Sequence, residues 1–376
     1  MSWVCKEHNQ EEWFCVKDRG YFYHIKKYEF KNNNMSWSEQ EVSEYQKINA
    51  VKLAEVNATL NPDKNLSGKV GIGLPGQAGD LMTAMSALYY REQFFPGKEI
   101  VWFANMPNID CLKYAQISEV RAWPWPGNGL PPDAVGDYDK LVCNENNRLN
   151  KELAKNYEAL ADLDEMYFPA PWMLAPQKRH GIDYPNCSRK VFGIPNDYPW
   201  HPVLEFSDSE LLNVYQFMTK TRTTKNILFE TFAGSSQSKL THEMVIEAIR
   251  LCKQEWPGCK IYFASHKYLR EQENFPEGFF EQENVFSCSQ FTVRQCGILN
   301  NHVDLIISVS SGITVACSHW GAKNTPVIQY TGSFICSTKS LAEGREFELI
   351  TADNKTPEQS QNEFYYALTN LLNKYK

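Results

Sequence analysis

Short apolar strand patterns alternate with amphipathic helical patterns in two separate stretches of the chain, and no other feature constrains its fold as strongly. In the first stretch, Val70–Leu74 is followed by apolar residues at helical spacing within 80–94. In the second, Asn226–Thr231 is followed by a helical pattern at 241–255. Strands that alternate with helices pair in parallel, so each stretch is predicted to form a Rossmann-like, doubly wound α/β domain.

Further elements repeat the same two patterns. The other predicted strands are Glu99–Ala104, Val120–Trp123, Tyr138–Cys143, Lys260–Ala264, Asn284–Ser287, Asp304–Val309 and Pro326–Tyr330. The other predicted helices cover 108–115, 208–220 and 291–300, and a terminal helix begins at Thr356 with Pro357 at its first position.

Changes in pattern divide the chain into three parts. Residues 1–66 form an appendage, in which aromatic residues alternate on both sides of Asp18–Gly20 as in a β-hairpin and 36–60 follow a helical pattern. Residues 67–205 form the first domain and end in a linker rich in Pro, Trp and Tyr. Residues 206–376 form the second domain.

The charge balance argues against two classes of partner. The 376 residues include 38 Lys and Arg against 45 Asp and Glu, a formal net charge of −7, whereas nucleic-acid-binding proteins usually carry a basic excess. No apolar run approaches the roughly 18 residues of a membrane span, and the first residues do not follow a secretory signal pattern. We therefore expect a cytoplasmic protein without a membrane span and without a nucleic-acid partner.

Acidic and sulfur-containing residues do not follow a metal-binding pattern. The eleven cysteines include no Cys-x-x-Cys pair, which indicates free thiols. Two Asp-x-Asp pairs, Asp137 with Asp139 and Asp162 with Asp164, do not follow predicted strands, and we interpret them as surface carboxylates. The sequence predicts no metal site.

Two loops of the second domain combine small residues with hydroxyl groups. Each loop follows a strand and precedes a helix, at the edge of a parallel sheet where ligands bind and where N–H groups attract phosphate. The predicted donor-binding residues are Ser235, Ser236 and Lys239 in the first loop, Ser310, Ser311, Gly312, Ile313 and Thr314 in the second, and Phe263, Ser265 and His266 at a neighbouring strand end, where the base of a nucleotide would lie. The alternative is that the serines only cap helices.

A carboxylate stands at the start of the first predicted helix of the first domain. Gly76, Gln77 and Gly79 form the loop before Asp80, and we expect this loop to lie on the acceptor side of the site. Asp80 is either a general base or the N-cap of the helix. The loop is not a phosphate-binding Walker motif, because no Gly-Lys-Ser/Thr follows it.

The stretch from Gly79-Asp80 through Phe95-Pro96-Gly97 to the apolar strand resembles the opening unit of glycosyltransferase family 9, the heptosyltransferases. In the second half, the loop 234–239 is similar to a Gly/Ser/Thr loop of that family that ends in Lys. Ser311-Gly312, followed by a helix and by 321–328, is similar to its Asp-Thr/Ser-Gly, helix and Gly-x-Pro pattern. The resemblance covers about residues 68–376.

This resemblance implies a glycosyltransferase-B fold, in which two Rossmann-like domains face a cleft. It also implies inverting, metal-independent transfer from a nucleoside-diphosphate sugar to a saccharide or another hydroxyl acceptor, without a resident cofactor. In the matching positions, Asp80 would be the general base, Lys239 a diphosphate contact, and Ser311 and Gly312 part of the phosphate cradle. Ser310 stands where the family usually has Asp and position 315 is Val where it often has His, and both departures concern the donor.

Three alternatives remain at the level of the sequence. A nucleotide-sugar epimerase of the same fold would need more acid and base groups, for which His242, His266 and His319 are candidates. A binding module without catalysis would not need Asp80, and a transferase could instead modify protein or nucleic acid. The aromatic residues that could either stack on a saccharide acceptor or anchor loops are Trp123, Trp125, Trp172, Tyr184, Tyr198 and Trp200.

Overall fold

The computed structural model describes the strands and loops of both domains and parts of the appendage. The described residues are 2–8, 11–18, 21–26, 50–63, 66–74, 76–104, 106–122, 142–143, 148–149, 160–169, 182–221, 225–233, 240–264 and 278–376.

The chain divides into two compact units, and it passes from one to the other several times. The first unit comprises Met1–Gln77, Ala87–Lys178 and Ser188–Pro195, and the second comprises Ala78–Ser86, Arg179–Cys187 and Asn196–Lys376. The segment Ala78–Ser86, which contains Asp80, therefore packs with the second unit, although its place in the sequence assigns it to the first predicted domain.

The N-terminal appendage contains three antiparallel strands, β1 (Ser2–His8), β2 (Glu11–Asp18) and β3 (Tyr21–Lys26). The predicted hairpin is confirmed, with Asp18 paired to Tyr21 across a two-residue connection. The strand β1 was not predicted. Helix α1 (50–59) matches the end of the predicted helix 36–60, whose residues 36–49 lie outside the described part of the chain.

Helix α1 lies against the sheet of the first unit. The six strands that the structure describes in this sheet are β4 (Lys69–Leu74), β5 (Glu99–Ala104), β6 (Glu119–Ala122), β7 (Val142–Cys143), β8 (Arg148–Leu149) and β9 (Glu165–Tyr167), in the order β6-β5-β4-β9-β8-β7. The first four in this order are parallel, as predicted, while β8 is antiparallel to β7 and β9. The side-chain amide of Asn57 pairs with both main-chain groups of Val120 at 2.8 and 3.0 Å, so α1 covers the outer edge of β6.

The predicted helix 80–94 is interrupted. Helix α2 (Ala78–Met85) gives way to a 3₁₀ segment at Ser86–Tyr90 before the short helix α3 (Arg91–Phe94). The predicted helix 108–115 is likewise a 3₁₀ segment, Met106–Leu112. Helix α4 (Tyr184–Val191), in the linker region, was not predicted.

The sheet of the second unit is parallel throughout the strands that the structure describes. These strands are β10 (Asn226–Phe229), β11 (Lys260–Phe263), β12 (Val285–Ser287), β13 (Leu305–Val309), β14 (Val327–Thr331) and β15 (Phe347–Thr351), in the order β12-β11-β10-β13-β14-β15. The strand β15 was not predicted. Because β10 and β13 are neighbours, the residues that follow them meet at the carboxyl edge of the sheet, where ligands of such folds bind.

Five helices complete the second unit within the described residues: α5 (Asp208–Thr221), α6 (His242–Glu255), α7 (Val293–Leu299), α8 (Gly312–Ala316) and α9 (Pro357–Lys374). A capping box between Thr356 and Gln359 begins α9, as its sequence predicts. The predicted apolar face of α9, which includes Phe364 and Leu368, is buried in the core. In the part of the chain that the structure describes, no helix is both long and apolar enough to cross a membrane.

Candidate functional site

Two glycines bring the starts of α2 and α8 together in the second unit. A methyl group added to Gly79 would lie 3.1 Å from the Cα of Gly312, and one added to Gly312 would lie 3.1 Å from the main-chain nitrogen of Gly79. Contacts this short with main-chain atoms mean that a side chain at either residue would require the opposite main chain to shift by a few tenths of an ångström. The two glycines therefore allow the Gly-Asp segment and the Ser-Gly turn to meet, although 233 positions separate them in the sequence.

Asp80 is the third residue of α2, because the helix begins at Ala78. The alternative in which Asp80 is the N-cap of this helix is therefore wrong. Its side chain is half-buried, and its charge is close enough to act on the Cys336 thiol. A carboxylate in the first turn of a helix is stabilised by the helix dipole.

The turn after β13 is held by its own side chains. The hydroxyl of Ser311 accepts hydrogen bonds from the main-chain N–H groups of Ile313 at 3.0 Å and Thr314 at 3.4 Å. Ser311 is thus the N-cap of α8, a role that the alternative interpretation expected of Ser310. The Ser310 hydroxyl instead donates to the main-chain carbonyl of Cys336. Both hydroxyl protons are therefore used within the protein.

A buried carboxylate lies beneath this turn. Glu230 directly follows β10, and its N–H donates to the carbonyl of Ile307 at 2.8 Å, which extends the pairing with β13. Its side chain accepts hydrogen bonds from the hydroxyl of Ser311 and, at 3.1 Å, from that of Thr314. Glu230 was not among the predicted site residues, although an acidic residue directly after a buried apolar strand was a signal for it.

Cys336 lies near Asp80 in the second unit and is hydrogen-bonded to Tyr184. Burial raises the pKa of the Cys336 thiol, a hydrogen bond with Tyr184 lowers it, and the charges of Asp353 and Asp80 raise it further. Tyr184 was predicted only as an aromatic residue of the linker. The structure places it next to Cys336, the residue that also receives the Ser310 hydrogen bond.

Asp183 fixes the beginning of α4 in this unit. Its carboxylate accepts hydrogen bonds from the hydroxyl of Ser340 at 2.9 Å and from the main-chain N–H of Asn186 at 3.2 Å. Burial raises the pKa of this carboxyl, and the hydrogen bonds oppose the rise. Asp183 therefore ties the segment that carries Tyr184 to the segment after Cys336.

Some of the predicted donor-binding residues are buried, and others lie outside the described residues. The residues outside the described part of the chain are Ser235, Ser236, Lys239, Ser265 and His266. The side chain of Phe263 is 1% exposed and packs on Phe229 and Phe279, so it belongs to the core and the prediction that it contacts a donor is corrected. Ile313 and Thr314 are also buried, and their side chains support the turn from within.

The residues predicted for the acceptor side are placed more openly. Gln77 is exposed, Gly79 is half-buried, and Gly76 is buried and accepts a hydrogen bond from the side chain of Asn108 at 3.1 Å. Of the candidate aromatic residues, Trp200 is 0% exposed, so it anchors the core and is not a stacking surface. Tyr184 and Tyr198 are half-buried, and the structure does not describe Trp123, Trp125 and Trp172.

The second Asp-x-Asp pair is a surface ion-pair cluster, as predicted. Hydrogen bonds from Arg121 hold the pKa of Asp162 below its usual range, and Asp164 bonds Lys98 at 2.8 Å and the main-chain N–H of Lys69 at 3.0 Å. Lys69 is the first residue of β4, so the pair lies at the amino edge of the sheet, opposite to the edge where ligands bind. Within the described residues, no group of three or more His, Cys, Asp or Glu side chains could hold a metal ion. Asp137 and Asp139 lie outside those residues.

The histidines considered for an epimerase differ in their surroundings. Burial lowers the pKa of His319 to about 4, and a ring nitrogen lies 2.6 Å from the main-chain carbonyl of Trp320. His319 is therefore neutral near pH 7 and lies in the interior. His242 is exposed at the start of α6, and His266 lies outside the described residues.

Solved structures of glycosyltransferases share this architecture. The family 9 glycosyltransferase of Veillonella parvula superposes with a TM-score of 0.53 at 12% identity, over 83% of this chain and 99% of that one. The chain has the fold of glycosyltransferase family 9. This confirms the predicted fold class and, at the level of the fold, the predicted resemblance.

Two further solved structures are similar at lower scores. The ADP-heptose lipopolysaccharide heptosyltransferase II of E. coli gives a TM-score of 0.46 at 15% identity, over 82% of this chain and 100% of that one. A spinosyn rhamnosyltransferase gives 0.42 at 12% identity, over 82% and 91%. No protein-family model and no curated protein matches the sequence.

The contact between the two glycines predicts coupled effects of alanine substitutions. Gly79→Ala and Gly312→Ala should each lower the free energy of unfolding by about 1–3 kcal/mol, because the added methyl group forces the two main chains apart. The double variant should lose less than the sum, because the first substitution already opens the contact. Urea denaturation measures all three values.

Gly71→Ala is the matched control for this coupling. A methyl group there would lie 2.6 Å from the Leu163 side chain in the first unit, so Gly71→Ala should also lower the free energy of unfolding. In the double variant, this loss should add fully to that of Gly79→Ala. Additive losses for Gly79→Ala and Gly312→Ala would show that the two residues do not share a contact.

Proposed function

We propose that this protein is an inverting glycosyltransferase that moves a sugar from a nucleoside-diphosphate sugar to a hydroxyl group of an acceptor, which we expect to be a saccharide. The proposal is supported by the fold and, above all, by the approach of Gly79 to Gly312. In this proposal, Asp80 is the base and the neighbouring turn at Ser311 and Gly312 binds the diphosphate. No second function is favoured by a specific observation.

In the proposed reaction, Asp80 takes the proton of the acceptor hydroxyl as its oxygen attacks the anomeric carbon. The bond between that carbon and the diphosphate oxygen breaks on the opposite side, and the nucleoside diphosphate leaves with the electron pair. A positioned base contributes about 10²–10⁴-fold to such a step. The leaving group needs stabilisation of its negative charge, for which we propose the main chain at Ser311 and Gly312 and the side chain of Lys239.

The side chains of Ser310 and Ser311, which the sequence predicted to bind the donor, shape the turn in this proposal. Their hydroxyls are bound to Cys336 and Glu230, so they shape the turn and leave contact with the diphosphate to the main chain. The missing side chain of Gly312 serves the contact with the main chain of Gly79, which fills the position that a Cβ would take. This arrangement also supports transfer without a divalent cation, since N–H groups and Lys239 would supply the positive potential.

A thermal-shift panel of ADP-, UDP-, GDP- and CMP-sugars tests the proposed function. At 100 times its Kd, a donor should stabilise the folded state by about 2.7 kcal/mol, which raises the melting temperature measurably. We expect one nucleotide class to give this shift in EDTA as well as with Mg²⁺. A shift that needs Mg²⁺ or Mn²⁺ would contradict metal independence. A shift with the CMP-sugar alone, which carries a single phosphate, or no shift with any of the four classes, would contradict the donor proposal itself.

Asp80→Asn tests the role of the base. Asn keeps the size of the side chain but not its basicity, so kcat should fall by about 10²-fold or more. Donor binding and the melting temperature should stay close to those of the wild type, because the dipole interaction that is lost amounts to about 0.3–1 kcal/mol. Steady-state kinetics and thermal denaturation measure these quantities.

Asp208→Asn is the matched control, because Asp208 is an exposed carboxylate in the first turn of α5. It should change neither kcat nor KM. Near-normal turnover of the Asp80→Asn variant would assign the base to another residue.

A further inference from the structure

Glu230 is a carboxylate that the proposed reaction does not use, yet it is 3% exposed at the carboxyl edge of the second sheet. An ionised carboxylate loses much of its hydration when it is buried, so it persists only where hydrogen bonds replace the water. Here those bonds come from the turn after β13. The main-chain hydrogen bond from Glu230 to Ile307 fixes the position of the Glu230 main chain. The pairing of β10 with β13 fixes the distance from Glu230 to the turn.

The two carboxylate oxygens of Glu230 have separate partners. One accepts the hydroxyl proton of Ser311. The other lies 3.1 Å from the hydroxyl oxygen of Thr314, which is also 2.8 Å from the main-chain carbonyl of Val309, so these two acceptors share the single Thr314 proton. A hydroxyl that donates to Glu230 must turn its lone pairs the other way. For Ser311 these lone pairs meet the N–H groups of Ile313 and Thr314, which is the cap of α8. Glu230 therefore sets the direction of the hydrogen bonds that hold the turn.

The charge of Glu230 has the wrong sign for a direct contact with a diphosphate. Like charges a few ångströms apart repel, so a carboxylate beside a phosphate group weakens binding unless it has another role. The hydrogen bonds to Ser311 and Thr314 indicate that role. They hold the turn in one conformation, and a main chain held in advance loses less entropy when it binds a ligand.

We propose that Glu230 is a positioning residue for the donor, which acts through the hydroxyls of Ser311 and Thr314 to hold the main chain of the turn for a nucleoside diphosphate. This inference rests on the proposed function, because it assumes that the turn binds the diphosphate. It makes Glu230 necessary for donor affinity although its own charge would repel the donor.

Isothermal titration of ADP, UDP and GDP into the wild type and Glu230→Gln tests this role. Gln has the same shape, but it carries no charge and has a single acceptor oxygen, so the hydrogen bond from Ser311 loses its charged acceptor. The Kd of the nucleoside diphosphate that the wild type binds should rise about tenfold, the size expected when one hydrogen bond to a charged group is lost. The melting temperature should remain close to the wild-type value.

Other roles of Glu230 predict different results. If Glu230 acted only through its charge, Gln would bind the diphosphate more tightly than the wild type. If it served only the stability of the fold, the melting temperature would fall and Kd would not change. Either result would overturn the proposal. Binding of none of the three nucleotides by the wild type would instead overturn the proposed function, and this inference with it.

A variant that leaves Glu230 in place keeps the test decisive if Glu230→Gln folds poorly. Thr314→Val removes one of the hydroxyls, together with its bond to the Val309 carbonyl, and should raise Kd several-fold. Its matched control Thr325→Val should not, because buried Thr325 bonds the carbonyls of Asn300 and Val303 at the far edge of the sheet. In a Ser311→Ala background, Glu230→Gln should have a much smaller effect, since the residue through which it acts is gone. Equal effects of Glu230→Gln with and without Ser311 would overturn the proposal.

Discussion

The starts of α2 and α8 meet where a methyl group on either Gly79 or Gly312 would lie 3.1 Å from the main chain of the other residue. A close-packed interior does not tolerate an added atom at such a point without a shift of the main chain. The contact thereby holds Asp80 near the Ser-Gly turn. The proposed reaction needs a carboxylate at the acceptor hydroxyl, across the anomeric carbon from the leaving diphosphate, and this contact holds Asp80 within reach of the turn proposed to bind that diphosphate.

The sheet of the second unit provides the support for that contact. Because β10 and β13 pair in parallel, Glu230 and Ser311 follow them at the same edge, and the buried carboxylate has hydroxyl partners there. A buried polar group is stable only when its hydrogen bonds are made, so the turn and Glu230 require each other. In the proposed function, the same interactions that stabilise the edge also hold the main chain of the turn for the diphosphate.

Most strands could be predicted from the sequence, because a parallel strand buried on both faces is a continuous apolar run such as the one that became β13. Helix boundaries were less predictable. The pattern at 80–94 has helical spacing throughout, but spacing does not report the 3₁₀ segment at Ser86–Tyr90, whose formation depends on tertiary packing. Trp200 shows the same limit, since the sequence does not distinguish a linker tryptophan that stacks on sugars from one that is fully buried.

The candidate site could be predicted only in part. Gly79-Asp80 and Ser311-Gly312 stood out because a glycine beside the start of a helix allows another main chain or a ligand to approach closely. The partnership of Glu230 with Ser311 and Thr314 could not be predicted, because it joins residues 81 and 84 positions apart through side-chain geometry alone. The grouping of Ala78–Ser86 with the second unit was also hidden, because this segment follows a strand of the first.

A crystal structure of the protein with a bound nucleoside diphosphate tests the central claim most directly. The account predicts phosphate oxygens within about 3.2 Å of main-chain nitrogens of the turn at Ser311 and Gly312, with the Asp80 carboxylate facing the same space. A diphosphate whose phosphate oxygens contact no main-chain nitrogen of the turn after β13 would contradict it.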